Sequence, residues 1–255
     1  MGKKKNTYES PELLADKGAE LKQHVPFAVV EAYKTIRTNL MFVLSKDNCN
    51  QVVFSSSNVA EGKSTTTINT AIAFAQLGSR VLLLDADLRR PSIAKKMKIA
   101  NNQGLSSVLV GFCPAEEAII KINKFLDIMP AGPIPPNPSE LLGSVRMEEL
   151  LSALSDKYDY IFIDTPPINV VSDALVIANK TDGLVFVVQD HMTTHKDFQK
   201  SLSSIEFANA KLLGLVLNAS SNGKGGRYKY RYRYRYRYNY NYNYNYNYNY
   251  NYKKH

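Results

Sequence analysis

The feature that most restricts the fold is a set of short, continuously apolar segments. They are Gln51–Ser55, Arg80–Asp85, Tyr158–Asp164, Gly183–Val188 and Leu212–Leu217. Strands without polar alternation are buried on both faces, which is typical of a parallel sheet covered by helices on each side. Stretches with helical apolar spacing lie between these segments. The sequence therefore predicts an α/β fold of three layers around a mainly parallel sheet.

Positive charge is concentrated at the C-terminus. The chain has 255 residues and a net charge of +9. Residues 223–255 carry nine basic side chains and no acid, so residues 1–222 balance 23 basic against 23 acidic residues. That balance argues against a body that coats nucleic acid. No apolar run approaches the ~18 residues of a membrane span, and the two cysteines give neither a metal-ligand spacing nor a disulfide framework. We expect a cytoplasmic chain that reaches the membrane only through a partner.

A phosphate-binding loop is predicted where the first strand meets a helix. The strand Gln51–Ser55 runs into Ser57–Thr65 (SNVAEGKST), and helical spacing continues over Ser64–Leu77. A strand, a loop ending in GKS and a helix form the P-loop arrangement, in which loop N–H groups and the helix N-terminus surround phosphates. Lys63 is placed to reach the β- and γ-phosphates and the Ser64 hydroxyl to bind Mg²⁺. The loop residues predicted to bind ATP are Glu61, Gly62, Lys63, Ser64 and Thr65.

Three acids follow strands of the predicted sheet. Asp164 ends one apolar strand, and Asp85 and Asp87 end another. Ligands of an open parallel sheet lie at the carboxyl ends of its strands, so these acids are expected to converge on Lys63 and Ser64. We predict that Ser64, Asp85, Asp87 and Asp164 serve the metal and that Lys63, Asp85 and Asp87 are catalytic.

The C-terminal segment has a regular pattern. After the Gly-rich hinge that begins at Gly223, tyrosine occupies every even position from Tyr228 to Tyr252, with basic and then Asn spacers. The segment has no aliphatic residues for a core, and we expect it to be disordered. We predict a flexible segment over residues 1–25, a P-loop domain over residues 26–222 and a disordered tail over residues 223–255.

Together these motifs resemble the bacterial tyrosine kinases of capsular and exopolysaccharide synthesis, P-loop enzymes of the Min/Par-like superfamily. The resemblance covers about residues 26–220. The segments that carry it, besides the Tyr-rich C-terminus, are Ser56–Thr65, Leu82–Pro91 (LLLDADLRRP), Met129–Leu142 (MPAGPIPPNPSELL), Asp159–Pro167 (DYIFIDTPP) and Ser172–Val188. Leu82–Pro91 resembles the additional Walker A′ motif of that family.

The resemblance implies an activity and its residues. It implies ATP- and Mg²⁺-dependent autophosphorylation in trans, with Asp85 and Asp87 as the A′ carboxylates and Asp164 as the Walker B acid. One A′ carboxylate would accept the tyrosine proton, and we favour Asp85. Asn218 matches a position that reads the adenine in related ATPases. The implied phosphoacceptors are Tyr228, Tyr230, Tyr232, Tyr234, Tyr236, Tyr238, Tyr240, Tyr242, Tyr244, Tyr246, Tyr248, Tyr250 and Tyr252.

The resemblance also implies partners. These are other copies of the chain in a ring, a separate transmembrane activator that holds the kinase at the inner face of the cell membrane, and a cognate tyrosine phosphatase. Glu31, Lys34 and Arg37 match the family's ring-forming Glu, Arg and Arg at three-residue intervals, except that Lys34 replaces the middle arginine. Three-residue spacing puts all three on one face of a helix predicted over Val25–Leu44. The alternative for this face is a solvated charged surface, since Lys lacks the bidentate pairing of Arg.

Other readings of the chain stay open. A Min/Par-type ATPase switch shares the superfamily, but it carries an additional lysine early in the P-loop where this chain has Asn58. The tail's Arg-Tyr repeats suit single-stranded nucleic acid, and its Asn-Tyr repeats suit self-association. Phosphate transfer to protein, as opposed to phosphate release alone, would distinguish the kinase from the switch.

Overall fold

The computed structural model of the chain describes residues 26–44 and 49–218. The predicted segments 1–25 and 223–255, and with them all the predicted phosphoacceptor tyrosines, lie outside these residues. The first half of the described chain contains α1 (Phe27–Val43), β1 (Asn50–Ser56), α2 (Lys63–Ala75), β2 (Val81–Asp85), α3 (Ile93–Met97), α4 (Leu105–Leu109), α5 (Ala115–Ala118), β3 (Ile120–Lys121) and β4 (Leu126–Met129). The second half contains α6 (Pro138–Gly143), α7 (Val145–Ser155), β5 (Tyr160–Asp164), α8 (Asp173–Ala178), β6 (Gly183–Gln189), α9 (His195–Phe207) and β7 (Leu212–Asn218).

The strands form one seven-stranded sheet in the order β3-β4-β2-β5-β1-β6-β7. All neighbouring pairs are parallel except β3 and β4, which are antiparallel. The predicted mainly parallel sheet is therefore confirmed, and each of the five apolar segments coincides with one strand to within two residues at either end. The sequence patterns had not indicated β3 or β4. The two-residue β3 is too short to show a period, and β4 contains the polar Asp127.

Helices cover both faces of the sheet because the strand side chains alternate between two cores. One core joins Leu84 and Ile163 to α4, α7, α8 and α9, and the other joins Leu83 and Phe162 to α1, α2 and α3. The central strands β2 and β5 are almost completely buried. Because helices cover both faces of the sheet, loops can form pockets at the two ends of the central strands.

Within the described residues, no helix combines the length and the apolar character needed to cross a bilayer. Both cysteines, Cys49 and Cys113, are free thiols.

Candidate nucleotide-binding site

The loop between β1 and α2 forms the predicted phosphate cradle. Gly62, the residue before the helix, has φ of 84°, a conformation that costs glycine little and other residues more. A Cβ atom built on Gly62 would lie 1.9 Å from Asn218 Nδ2. The turn therefore needs glycine for its backbone conformation and for the close approach of Asn218, and it aims the first N–H groups of α2 at the open end of the sheet.

Lys63 and the three predicted acids meet at the carboxyl ends of β2 and β5. Asp85 and Asp164 are paired in register. Lys63 Nζ lies 3.0 Å from Asp87 Oδ2 and 3.5 Å from Asp164 Oδ1. The Ser64 hydroxyl lies 3.3 Å from Lys63 Nζ. The structure thus brings together the five residues that the sequence assigned to catalysis and metal binding.

Burial and neighbouring charges together shift the pKa values of this cluster. Burial is the larger influence at Asp164, and the neighbouring charges together are the larger influence at Lys63. Burial raises the pKa of Asp164, against the attraction of Lys63. For Lys63 burial acts to lower the pKa, but the charges of Asp164, Asp87 and Asp85 outweigh it, and the pKa is raised. The lysine therefore stays protonated, ready to meet a phosphate, while the carboxylates are held at a free-energy cost.

The two A′ carboxylates have different surroundings. Asp85 is fully buried, and its oxygens accept backbone N–H groups of Asp87, Ser92 and Ile93. Burial and the charge of Asp164 raise its pKa to about 8. Asp87 lines the cavity beside Lys63. Asp87 is therefore the A′ carboxylate that an entering molecule meets first.

The arrangement fits a magnesium ion bound with a nucleotide. Asp164 Oδ2 is buried and accepts no hydrogen bond from the residues that the structure describes, as expected of an oxygen that serves a metal or its water. No group of three or more His, Cys, Asp or Glu side chains in the described part of the chain is arranged as a complete metal site. Magnesium in phosphate-transfer sites takes many of its ligands from phosphates and water, so Ser64 and Asp164 supply a suitable protein contribution.

A cavity of about 660 Å³ opens above this cluster. Its polar lining includes Lys63, Asp87 and Asn218, and its apolar lining includes Val59 and Pro167. The other lining residues are Ala60, Gly62, Ser64, Thr65, Arg89, Arg90, Ser92, Lys96, Pro166, Val170, Val171 and Gln189. A cavity with a charged floor, an apolar wall and a P-loop suits a nucleoside triphosphate.

The Glu61 side chain connects the P-loop to a neighbouring segment. It is fully buried and is not part of the cavity lining. The carboxylate accepts the Asn58 N–H at 3.1 Å and the Thr193 hydroxyl at 2.7 Å. The Asn218 amide donates to the Glu61 carbonyl at 3.1 Å and to Gln189 Oε1 at 3.2 Å. Glu61 therefore fastens the P-loop to the segment after β6, and Thr193 had given no sequence signal because its partner is distant in the chain.

Arg89 is a further residue whose role the sequence patterns had not assigned. Its guanidinium binds the buried Asp173 carboxylate, with Nε 2.9 Å from Oδ2, and its Nη2 donates to the Ser139 hydroxyl at 2.8 Å. The Ser139 hydroxyl in turn donates to Asp173 at 2.5 Å. These bonds tie the loop after β2 to α6 and α8. The partner residues lie in segments that the family resemblance had already marked.

The predicted oligomer residues lie on α1. Lys34 Nζ is 2.8 Å from Glu31 Oε1, and both side chains are exposed. Arg37 instead donates from Nη1 to the Ala73 carbonyl of α2 at 2.8 Å. In this chain Glu31 and Lys34 are available on the surface, whereas Arg37 also anchors α1 to α2.

Comparisons with known proteins agree with this geometry. Residues 49–226 match the ParA family, described as NUBPL iron-transfer P-loop NTPase. The tyrosine-protein kinase YwqD of Bacillus subtilis (strain 168) is 41% identical over 199 residues, which cover 78% of this chain and 84% of YwqD.

Solved structures support the family through one neighbour and the fold through another. The kinase domain of the Escherichia coli tyrosine kinase ETK is 31% identical, with a TM-score of 0.74 over 82% of this chain and 86% of that domain. The septum site-determining protein MinD of Pyrococcus horikoshii, solved with Mg-ADP, is 24% identical, with a TM-score of 0.57 over 69% of this chain and 72% of MinD. The second likeness concerns the fold alone. Nucleotide binding with a metal is a property of P-loop NTPase folds of this kind.

Proposed function

Because the chain belongs to the bacterial tyrosine-protein kinases, within the ParA family of P-loop NTPases, we propose that it phosphorylates its own C-terminal tyrosines in trans. The chain is a tyrosine-protein kinase of the capsule and exopolysaccharide type. The phosphoryl donor is ATP with Mg²⁺, and the acceptors are the 13 tyrosines from Tyr228 to Tyr252. The modified kinase regulates polysaccharide synthesis and export.

The observation that carries the proposal is the position of Lys63. It stands at the start of α2, beside the cavity, between two carboxylates at 3.0 and 3.5 Å. A protonated lysine that already has acidic neighbours exchanges them for phosphate oxygens when a nucleotide enters. Lys63 then neutralises charge on the transferred group, a large contribution in phosphoryl transfer because little covalent work is left to the protein.

Metal binding, phosphate binding and adenine recognition belong to different residues of the site. Bound ATP with Mg²⁺ supplies the phosphoryl group. Ser64 and Asp164 would hold the metal, and the N–H groups around Gly62 would bind phosphate oxygens. Asn218 reads the adenine beside the P-loop, where its amide is oriented by the Glu61 carbonyl and by Gln189.

A carboxylate of the A′ pair takes the tyrosine proton. Asp85 is fully buried and accepts three backbone N–H groups. Asp87 accepts the Arg90 N–H and the Lys63 ammonium group, and it lines the cavity. The geometry therefore favours Asp87 for contact with the hydroxyl and Asp85 for holding the loop that carries Asp87. A phenol with a pKa near 10 is a poor match for either base, so alignment and charge neutralisation supply most of the acceleration.

The proposal includes partners that family membership supports. Copies of the chain form a ring in which α1, with Glu31, Lys34 and Arg37, contacts a neighbour. A transmembrane activator holds the kinase at the inner face of the cell membrane, and a cognate phosphatase reverses the reaction. A Min/Par-type switch has only the likeness of fold in its favour.

The test mixes two variants of the chain. A Lys63→Met chain that keeps its tail is incubated with an active chain truncated after Asn222 and with labelled ATP and Mg²⁺. Transfer in trans predicts label on the Lys63→Met chain. The matched control replaces the second chain by one that is both truncated and Lys63→Met, and it should give no label. Label on the inactive chain only when its own Lys63 is restored would contradict transfer between copies.

A further inference from the structure

A second pocket, which we call the basic pocket, lies at the opposite ends of the central strands. It has a volume of about 420 Å³ and is bounded by residues that precede β2, β4 and β5, together with α5 and β3. Its lining consists of Arg80, Glu116, Ile119, Lys121, Lys124, Phe125, Asp127, Lys157 and Tyr158. The nucleotide cavity, by contrast, is at the carboxyl ends of β2 and β5. The two pockets share no lining residue.

The rim of the basic pocket carries four cations, and two of them are already paired. Arg80 binds Asp159 at 2.8 Å, and Lys157 binds Glu116 at 2.5 Å. Lys121 and Lys124 form no ion pair within residues 26–44 and 49–218. They are exposed, so their ammonium groups are free to turn towards an anion.

The acidic groups of the pocket do not fully neutralise the positive charge of these two lysines. Asp127 is opposite Lys121 in the β3–β4 pair, and it accepts the Tyr158 hydroxyl at 2.7 Å. With the two ion pairs set aside, Lys121 and Lys124 leave a surplus of one positive charge over Asp127. The pocket therefore attracts an anion and has two mobile donors to bind it.

The interior of the basic pocket is aromatic. Phe125 is half-buried and Tyr158 is nearly fully buried. Lys124 Nζ lies 5.2 Å from the centre of the Phe125 ring. The turn that carries both residues is fixed, because the Asn123 side-chain oxygen accepts the N–H groups of Phe125 and Leu126 at 2.8 and 2.9 Å. The Phe125 ring under the Lys124 ammonium group, with Lys121 also lining the pocket, suits a ligand with a planar ring and a phosphate at its end.

We propose that the basic pocket binds a phosphotyrosine side chain of the phosphorylated C-terminal tail. This inference rests on the proposed function, since it takes the tail as the source of the phosphotyrosine. Before modification the tail carries nine positive charges and is repelled by Lys121 and Lys124. Each phosphate adds roughly −1.5 to −2 charges and three acceptor oxygens, so modification converts repulsion into attraction.

The tail offers tyrosines at increasing distances along the chain from the end of β7. Tyr228 is ten residues beyond the end of β7, and ten extended residues span about 35 Å. Every later tyrosine reaches further. A flat membrane surface would engage the lysines but not the ring floor, which is why the aromatic phosphate is the favoured ligand.

The experiment measures binding of a labelled peptide to the full-length, phosphatase-treated chain without ATP. The peptide has the sequence of residues 239–248 with phosphate on Tyr242 and Tyr244, and fluorescence anisotropy reports its binding. We expect the unphosphorylated peptide to bind about tenfold or more weakly. A peptide with phosphoserine at the same two positions should also bind several-fold more weakly.

Two double variants locate the site. Lys121→Gln/Lys124→Gln should weaken binding of the phosphotyrosine peptide about tenfold or more. The control Lys196→Gln/Lys200→Gln removes the same charge from exposed positions of α9 and should leave binding unchanged. Equal weakening by both double variants, or equal binding of the phosphoserine peptide, would overturn the proposal in favour of general attraction of anions. Loss of binding to phosphatidylglycerol vesicles in Lys121→Gln/Lys124→Gln, with peptide binding unchanged, would overturn it in favour of a membrane contact.

The two proposals can fail separately. The peptide is synthesised with its phosphates, so binding does not depend on kinase activity. Tail phosphorylation without peptide binding would refute the phosphotyrosine pocket alone, and peptide binding by a chain that transfers no phosphate would refute the proposed activity alone.

Discussion

The two ends of β2 and β5 carry charged groups in opposite circumstances. At the carboxyl ends, Lys63 and Asp164 are 3.5 Å apart with side chains 11% and 0% exposed. At the amino ends, Arg80 and Asp159 are 2.8 Å apart with side chains 56% and 41% exposed. Water screens the second pair, whereas the first is kept from water by the layers around the sheet. The same two strands thus hold charges at a large desolvation free energy at one end and exposed charges at a small one at the other.

Replacing one cation at each end gives the largest expected difference. Lys63→Met should reduce phosphoryl transfer by about 10²-fold or more, since the phosphates lose their charge-neutralising partner. Arg80→Met at the other end should leave the rate nearly unchanged. Incorporation of label into the tail, with circular dichroism to check the fold, measures both. Similar losses in the two variants would contradict the assignment of the nucleotide site.

Replacing one acid at each end should change stability in opposite directions. Burial raises the pKa of the Asp164 carboxyl group. The folded state therefore favours the protonated form, and stability is lost as pH rises through the raised pKa, because the buried group then becomes charged. Asp164→Asn should therefore stabilise the nucleotide-free protein by about 1–2 kcal/mol above the raised pKa of Asp164, with a smaller gain as the pH falls through it. The variant should also be inactive. Denaturant unfolding at several pH values provides the measurement, and a gain independent of pH would show that charge burial is not its cause.

A smaller effect is expected from the bond that holds the P-loop. Thr193→Val removes the hydroxyl that donates to the buried Glu61 carboxylate at 2.7 Å. We expect KM for ATP to rise about fivefold to tenfold with little change in kcat, because a buried acceptor loses its donor and the loop loosens. Thr193→Ser, which keeps the hydroxyl, should restore KM.

The matched control for Thr193 is Thr181→Val, which removes a hydroxyl bonded to the Ala178 carbonyl at 3.1 Å. It should leave KM unchanged. Failure of Thr193→Ser to restore KM would assign the effect to packing instead of the hydrogen bond.

The smallest effect is expected at the exposed pair. The Arg80 hydrogen bond lowers the pKa of Asp159, so this carboxylate contributes stability above its ordinary pKa and loses it as pH falls through the lowered value. Asp159→Asn should cost less than about 1 kcal/mol near pH 7, and added salt should shrink the loss. The sign is opposite to that of Asp164→Asn. A stabilising Asp159→Asn would remove the distinction between the two ends of the strands.

Much of the nucleotide site was predictable from short stretches of sequence. The parallel sheet and the meeting of Lys63 with Asp85, Asp87 and Asp164 followed from apolar runs that end in acids, because parallel strands bring their carboxyl ends to one edge. The family followed from the resemblance of the motifs to those of bacterial tyrosine kinases. The relatives confirm the family. The oligomer contact, the roles of Glu61 and Asn218 in ATP binding and the phosphoacceptor tyrosines stay predictions.

The sequence by itself determined five of the described strands, the helices α1 and α2 and the edge of the sheet where chemistry takes place, since apolar runs and P-loop spacing are local patterns. Only the tertiary structure decided that Glu61 is buried against Thr193, that Asp87 lines the cavity while Asp85 is held by backbone N–H groups, and that Lys124 stands over Phe125. Each of these depends on the direction of a side chain relative to another segment. The exposure that sets a charge's cost is likewise a property of the packed layers, and no spacing along the chain encodes it.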